Sequence, residues 1–195
     1  QSRSSAASDV YKRQEYCPAN IMASNPKWCL SLKEWKAQFK DWVKHPTSDK
    51  ILLSIIFFDF EYIFGDKELY NQMSESVFRY ISKKQTFLGF LSKATLDNPP
   101  PLGFFKQFLV EQDGENKDHF DIKSRAIRPL VDAARIFSLH HSLKVNNTIA
   151  RYEKLMEVEP QNNDIFESCA NAFKILLQFR TSQGLTNNDS GKFVD

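Results

Sequence analysis

A chain of 195 residues with 42% apolar and 26% charged side chains is long enough to bury a core and has a soluble globular composition. Its net charge of +2 lacks the basic excess expected of a partner for nucleic acid or for an anionic membrane. Cys17, Cys29 and Cys169 are widely spaced, with no metal-ligand spacing among them, and read as reduced thiols of a cytoplasmic protein.

Residues 1–16 are Ser- and Ala-rich and aperiodic at their start. They resemble translated adaptor or vector sequence, so a disordered tail foreign to the domain is expected there. Ser31 and Glu34 then form an S-x-x-E capping box. Leu32, Trp35, Phe39, Trp42 and Val43 recur at helical spacing until Pro46 ends the helix, and Thr47 or Ser48 can cap the next one. That second helix, about 49–63, is apolar on nearly every side and is expected in the middle of a bundle. The run from Ile51 to Phe64 is interrupted by Asp59 and Glu61 and is shorter than the ~20 residues of a membrane span.

Gly65-Asp66 breaks the pattern. A third helix follows through Leu69, Met73, Val77, Tyr80 and Ile81, then a short one over about 86–95. After the rigid Asn98–Pro101 loop, residues 104–110 return to apolar spacing, and 111–118 form a polar turn around Gly114. A long helix is expected from Asp121 to about Leu143. Another, capped by Thr148, reaches about Val158, and a last one runs from about Asp164 to Ser182. Beyond Gly184 the chain reads as a polar, turn-like tail. The fold class is therefore all-α, a bundle of about six to eight helices without substantial β-sheet.

The densest polar constellation runs from Gly114 to Lys123 and leads into a helix bearing arginines. At 100° per residue, Asp121, Arg125, Arg128, Asp132 and Arg135 share one stripe. Ile127, Leu130, Val131, Ala134 and Phe137 lie opposite. If the apolar face packs inward, the charged stripe faces solvent, another domain or a ligand. Guanidiniums so spaced can clamp phosphate or carboxylate oxygens, with Asp132 holding them; the plainer reading is an ion-pair ladder worth a few tenths of a kcal/mol per pair. Pro129, inside the helical pattern at a cost of ~3 kcal/mol, argues for a kink with a purpose. Asp59 is either a substrate-contacting carboxylate or, the slightly favoured reading, a buried partner for one of these arginines. His140 and His141 point too far apart to share a metal and suit the end of their helix. No Gly-Ser loop with paired aspartates, Walker loop, HExxH or nucleophile elbow is present, so no metal site or catalytic set is expected in this chain.

Ile56–Glu61 followed by Tyr62–Asp66 is similar to the FFDFR…YGD segment of a nucleotidyltransferase substrate-binding domain family. Pro100–Phe105 resembles its PPLGxF loop. Gly114–Lys117, Phe120–Lys123 and Arg128–Arg135 resemble its GExK…DIK…PLxDxAR stretch, and Asn147–Arg151 its NTxxR loop. The segments keep family order over about residues 28–183, with Glu61 where arginine is common and Asn116 where histidine is common.

The resemblance implies a helical accessory domain beside a catalytic nucleotidyltransferase domain of the same parent chain. The parent would be a bacterial signalling protein related to PII-protein uridylyltransferases, often carrying CBS or cyclic-nucleotide-binding modules. It implies a division into a linker at 17–30, a substrate-binding domain at 31–183 and a truncated tail at 184–195. Mg2+ and nucleoside triphosphate would belong to the catalytic domain, with no cofactor in this chain. The substrate-binding surface expected is Lys117, Asp121, Lys123, Arg125, Arg128, Asp132 and Arg135, with Asp59. It would present a protein or small-molecule acceptor, with neither nucleic acid nor membrane as partner. Alanine at Arg128 and Arg135 is expected to cut transfer while sparing the fold. The competing reading is a regulatory protein-interaction module that never touches substrate.

Overall fold

A computed structural model describes residues 17–97, 110–113, 117–187, 191 and 193–194. Residues 1–16, the 98–101 loop, most of the apolar stretch expected at 104–110 and Gly114–Asn116 lie outside the described residues.

Seven α-helices make up the described chain: α1 (Leu32–Lys44), α2 (Ser48–Phe57), α3 (Lys67–Ser82), α4 (Gln85–Leu96), α5 (Arg128–His140), α6 (Thr148–Val158) and α7 (Asn163–Asn187). Local chemistry sets several of their starts. Ser31 and Glu34 close the expected capping box on α1. The Thr47 hydroxyl accepts from Lys50 N–H at the start of α2, and the Asp66 carboxylate accepts from Glu68 N–H at the start of α3. Asn147, rather than Thr148, caps α6: its side-chain oxygen takes the N–H groups of Ile149 and Ala150, leaving Thr148 buried as the first helical residue.

Four expectations are corrected. The second helix ends at Phe57 rather than 63, so Asp59 and Glu61 lie in the non-helical segment after it. It also lies at the edge of the bundle. Only Ile51 and Ser54 of α2 are buried, while Leu52 and Ile56 are 50% and 42% exposed. The long helix from Asp121 is not one α-helix. Residues Lys123–Ile127 wind as a π-helix, with Arg128 N–H donating back to Lys123 O, before α5 begins at Arg128. Pro129 gives the reason: its ring displaces the carbonyl four residues earlier, and a wider turn accommodates it. The C-terminal stretch also differs from a polar tail. Helix α7 continues through Gly184 to Asn187, and β2 (Phe193–Val194) pairs antiparallel with β1 (Phe120–Asp121).

The packing has two halves joined through α5. One core, built on α1–α4, centres on Phe39, Trp42, Ile81, Phe87 and Leu91, all at most 1% exposed, and takes in Leu139 of α5. Its rings meet in a chain of contacts from Trp28 through Phe57, Trp35 and Phe39 to Phe58. In the other half, Ala134, Tyr152, Leu155, Phe166 and Ala170 join α5, α6 and α7. Phe120, Ile122, Ile127 and Phe173 join the β1–π segment to α7. The Tyr152 hydroxyl donates to Leu130 O at 2.7 Å, and burial pushes its pKa upward. Among the described residues no helix is long and apolar enough to cross a membrane.

Candidate functional site

Because α5 packs against α3 and α4 on one side and α6 on another, both of its faces are covered. The charged stripe therefore does not turn wholly outward: Asp132 and Arg135 are 4% and 7% exposed, whereas Phe137, expected inside, is 42% exposed. The acidic residue after α2 supplies the reason. Asp59 Oδ2 accepts from Arg135 Nη2 at 2.5 Å and Nε at 3.2 Å, and its Oδ1 accepts from Arg151 Nη2 at 2.5 Å. Arg135 Nη1 also donates to Asp132 Oδ1 at 2.6 Å, and Arg151 Nε donates to Val145 O at 2.6 Å. Two carboxylates and two guanidiniums thus neutralise one another where single charges would be costly to bury. Burial pushes the Asp59 pKa up, but the hydrogen bonds and charges of Arg135 and Arg151 outweigh it and hold the carboxyl below its ordinary value.

Above this network lies an open groove of about 510 Å³ between α2 and the π–α5 segment. Ile55, Ile56, Ile127 and Val131 make its apolar wall. Asp59, Lys123, Arg128, Asp132, Arg135 and Arg180 supply its charge. Arg128, its side chain 46% exposed, sits at the lip with Nε 3.4 Å from Asp132 Oδ2, within ion-pair range. That contact lacks hydrogen-bond geometry, and Asp132 Oδ2 is buried without a hydrogen-bond partner.

Five of the eight residues expected from the sequence therefore converge: Asp59, Lys123, Arg128, Asp132 and Arg135. Three do not line the groove. Lys117 is exposed in the turn before β1. Arg125 is turned to Glu111, donating to its Oε1 at 3.2 Å from Nη2. Asp121 is buried, and its two carboxylate oxygens accept from Ser124 N–H at 2.8 Å and Ser124 O–H at 2.9 Å. It thus caps the π segment. Asp121 belongs to β1, ahead of the helical segment, and the extra residue in the π turn moves Arg125 off the stripe that an ideal α-helix would give it.

Two arginines were not expected at this place. Arg151 falls with Thr148, Tyr152 and Leu155 on the buried stripe of α6, and a basic residue on an otherwise inward face signals a buried acidic partner. Arg180 reaches the groove from α7, and nothing in its local sequence marks it.

The groove has no carboxylate pair arranged for a cation, since Asp59 and one oxygen of Asp132 are held by guanidiniums. Among the described residues no cluster of His, Cys, Asp and Glu could hold a metal ion. His141 ends α5 and contacts Glu159, a pairing that lowers the Glu159 pKa. Two other depressions among the described residues bear comparison. One of about 470 Å³ lies beside α2 and α4, and shares Arg128. The other, about 710 Å³, is aromatic, lined by Trp28, Trp35, Phe57 and Phe60 and edged by Ile63 and Phe64. Of these three, the groove over Asp132 is the one that combines several cations with a buried acceptor.

Residues 85–195 match the family described as Putative nucleotidyltransferase substrate binding domain, and residues 14–49 match the one described as Putative nucleotidyltransferase DUF294. The chain matches no curated protein and no solved structure.

Proposed function

This chain belongs to the nucleotidyltransferase substrate-binding domain family, and from that premise we propose that its charged groove receives the anionic part of an acceptor for nucleotidyl transfer. The observation carrying this reading is the convergence of Lys123, Arg128, Arg135 and Arg180 on one groove with an apolar wall. Guanidiniums bind phosphate and carboxylate bidentately, and a wall that excludes water strengthens such contacts. Arg135, fixed by Asp59 and Asp132, contributes positive potential from a rigid position; Arg128 and Lys123 are the exposed groups free to close on a ligand.

Chemistry is assigned to a nucleotidyltransferase domain of the same parent chain, which would bind nucleoside triphosphate and Mg2+. The family match at residues 14–49 supports that neighbour. This domain would then act by placement, holding the acceptor where transfer needs only orientation and charge neutralisation. A signalling parent related to PII-protein uridylyltransferases belongs to the same proposal.

The test is binding and then transfer. Titration of the chain with inorganic phosphate, followed by NMR, should shift amides of the π–α5 segment, and Arg128→Ala should weaken binding about tenfold. The same variant in the parent protein should lower transfer without changing thermal stability. Phosphate that leaves those amides unmoved would sink the reading.

A protein-interaction module without substrate contact is favoured by one observation: Ile63 and Phe64, at the rim of the aromatic depression, are 92% and 94% exposed. Phe64→Ser should abolish partner capture on that reading and leave acceptor binding untouched on the first.

A further inference from the structure

Asp132 is one of the most enclosed charged residues among those described, yet only one of its carboxylate oxygens accepts a hydrogen bond. Oδ1 accepts from Arg135; Oδ2 accepts none and meets Arg128 only at ion-pair range, although its residue lines the open groove. A buried carboxylate oxygen left in this state costs free energy that a suitable donor would recover. Within the reading that the groove takes an anion, we infer that its ligand carries a hydroxyl close to the anionic group, as in a sugar phosphate of the ribose type, and that this hydroxyl donates to Asp132 Oδ2.

Charge selects a hydroxyl over an ammonium. Lys123, Arg128 and Arg135 outnumber Asp59 and Asp132 along the groove, so another cation would be repelled. A hydroxyl satisfies the acceptor and adds no charge. Proximity sets the spacing within the ligand. Oδ2 is enclosed with Arg128 Nε 3.4 Å away, so the hydroxyl takes its place beside Oδ2 as the half-exposed Arg128 turns from Asp132 to the anion, and anion and hydroxyl must lie close together in the ligand. The apolar wall of Ile55, Ile56 and Val131 suits the carbon face of a sugar ring.

Calorimetric titration of the 195-residue chain with ribose 5-phosphate and with methyl phosphate tests this. The two carry the same phosphate monoester charge, and only one has hydroxyls. The inference expects ribose 5-phosphate to bind about tenfold more tightly, the worth of a charge-assisted hydrogen bond. In Asp132→Asn the remaining oxygen stays with Arg135 and an amide N–H2 replaces the carboxylate oxygen. The preference, read as the ratio of the two affinities within that variant, should then shrink to about threefold or less. The wild-type comparison decides the matter even where the variant folds poorly. Equal binding of the two ligands would overturn the hydroxyl inference and leave the anion groove standing. No binding of either would overturn both, and a preference unchanged in Asp132→Asn and in Arg128→Ala would put the sugar elsewhere and overturn the inference.

Discussion

Arg128 and Arg135 stand seven residues apart on one helix and have opposite roles, because what decides the role of a guanidinium is the water left around it. The Arg135 side chain, 9% exposed, is clamped between Asp59 and Asp132. Arg135→Ala takes a guanidinium from each of two carboxylates in a place with little solvent, leaving Asp59 to Arg151 and Asp132 to Arg128 at ion-pair range; breaking a buried pair costs up to roughly 3–5 kcal/mol. Arg128 is 46% exposed and meets Asp132 only at ion-pair range, so Arg128→Ala should change stability by less than about 1 kcal/mol. Urea denaturation of the two variants checks both values. Equal, small losses would show that the Asp59–Arg135–Asp132 network is not an internal fastening. The burial of Arg135 argues against the sequence-based expectation that both alanines spare the fold, and leaves Arg128→Ala as the probe of the proposed binding.

Among the elements, the helices that announce themselves through caps were legible, and those shaped by what packs on them were not. Ser31-x-x-Glu34 writes the start of α1 into the sequence, and Ser31→Ala should cost about 1 kcal/mol of thermal stability. The end of α2 is not so written. The apolar run continues through Phe60 and Ile63, but after Phe57 the chain leaves the helix and points Asp59 at Arg135 and Arg151, a long-range demand that no periodicity contains. The charged stripe failed in part for a similar reason. Proline was visible, but the π turn it produces shifts Arg125 out of line, and Asp121 is taken up by the strand before it. Arg180 arrives from a helix more than forty residues further along the chain.

The closing strand pair was also hidden, since two-residue strands have no pattern. Two residues before β2, Gly191 sits at φ +56, where a Cβ would lie 2.0 Å from Arg180 O. Gly191→Ala cannot keep that approach, and the left-handed backbone adds about 1–3 kcal/mol of strain. Hydrogen exchange at Phe120 and Asp121 should speed up in this variant while α1–α4 stay protected. Unchanged exchange there would mean that β2 does not depend on the close approach.

At the scale of the whole molecule, Asp59 is the point where the two halves are held to one another. It leaves the α1–α4 half at the end of α2 and takes one guanidinium from α5 and one from α6. Asn146, in the loop before α6, adds a hydrogen bond from its side-chain N–H2 to Phe60 O at 2.9 Å. The pKa of Asp59 is lower folded than unfolded, so its stabilising contribution is complete above the ordinary carboxylate pKa of about 3.9 and drains away as pH falls through the lowered value. Asp59→Asn should remove that part of the acid dependence and cost about 2–3 kcal/mol near neutral pH, less than a wholly buried pair because the Asp59 side chain is 29% exposed.

The three tryptophans, Trp28, Trp35 and Trp42, all lie in or beside α1, so their fluorescence reports one half alone, whereas helical circular dichroism reports both. In the wild-type chain the two signals should change together on heating, as cooperative unfolding requires. In Asp59→Asn, with the fastening loosened, the α6–α7 half should melt first and the dichroism transition should begin below the fluorescence one. Transitions that still coincide in the variant would mean that Leu139 and the apolar faces of α5 couple the halves without help from the ion pairs, and Asp59 would then matter to the groove rather than to the cooperativity of the fold.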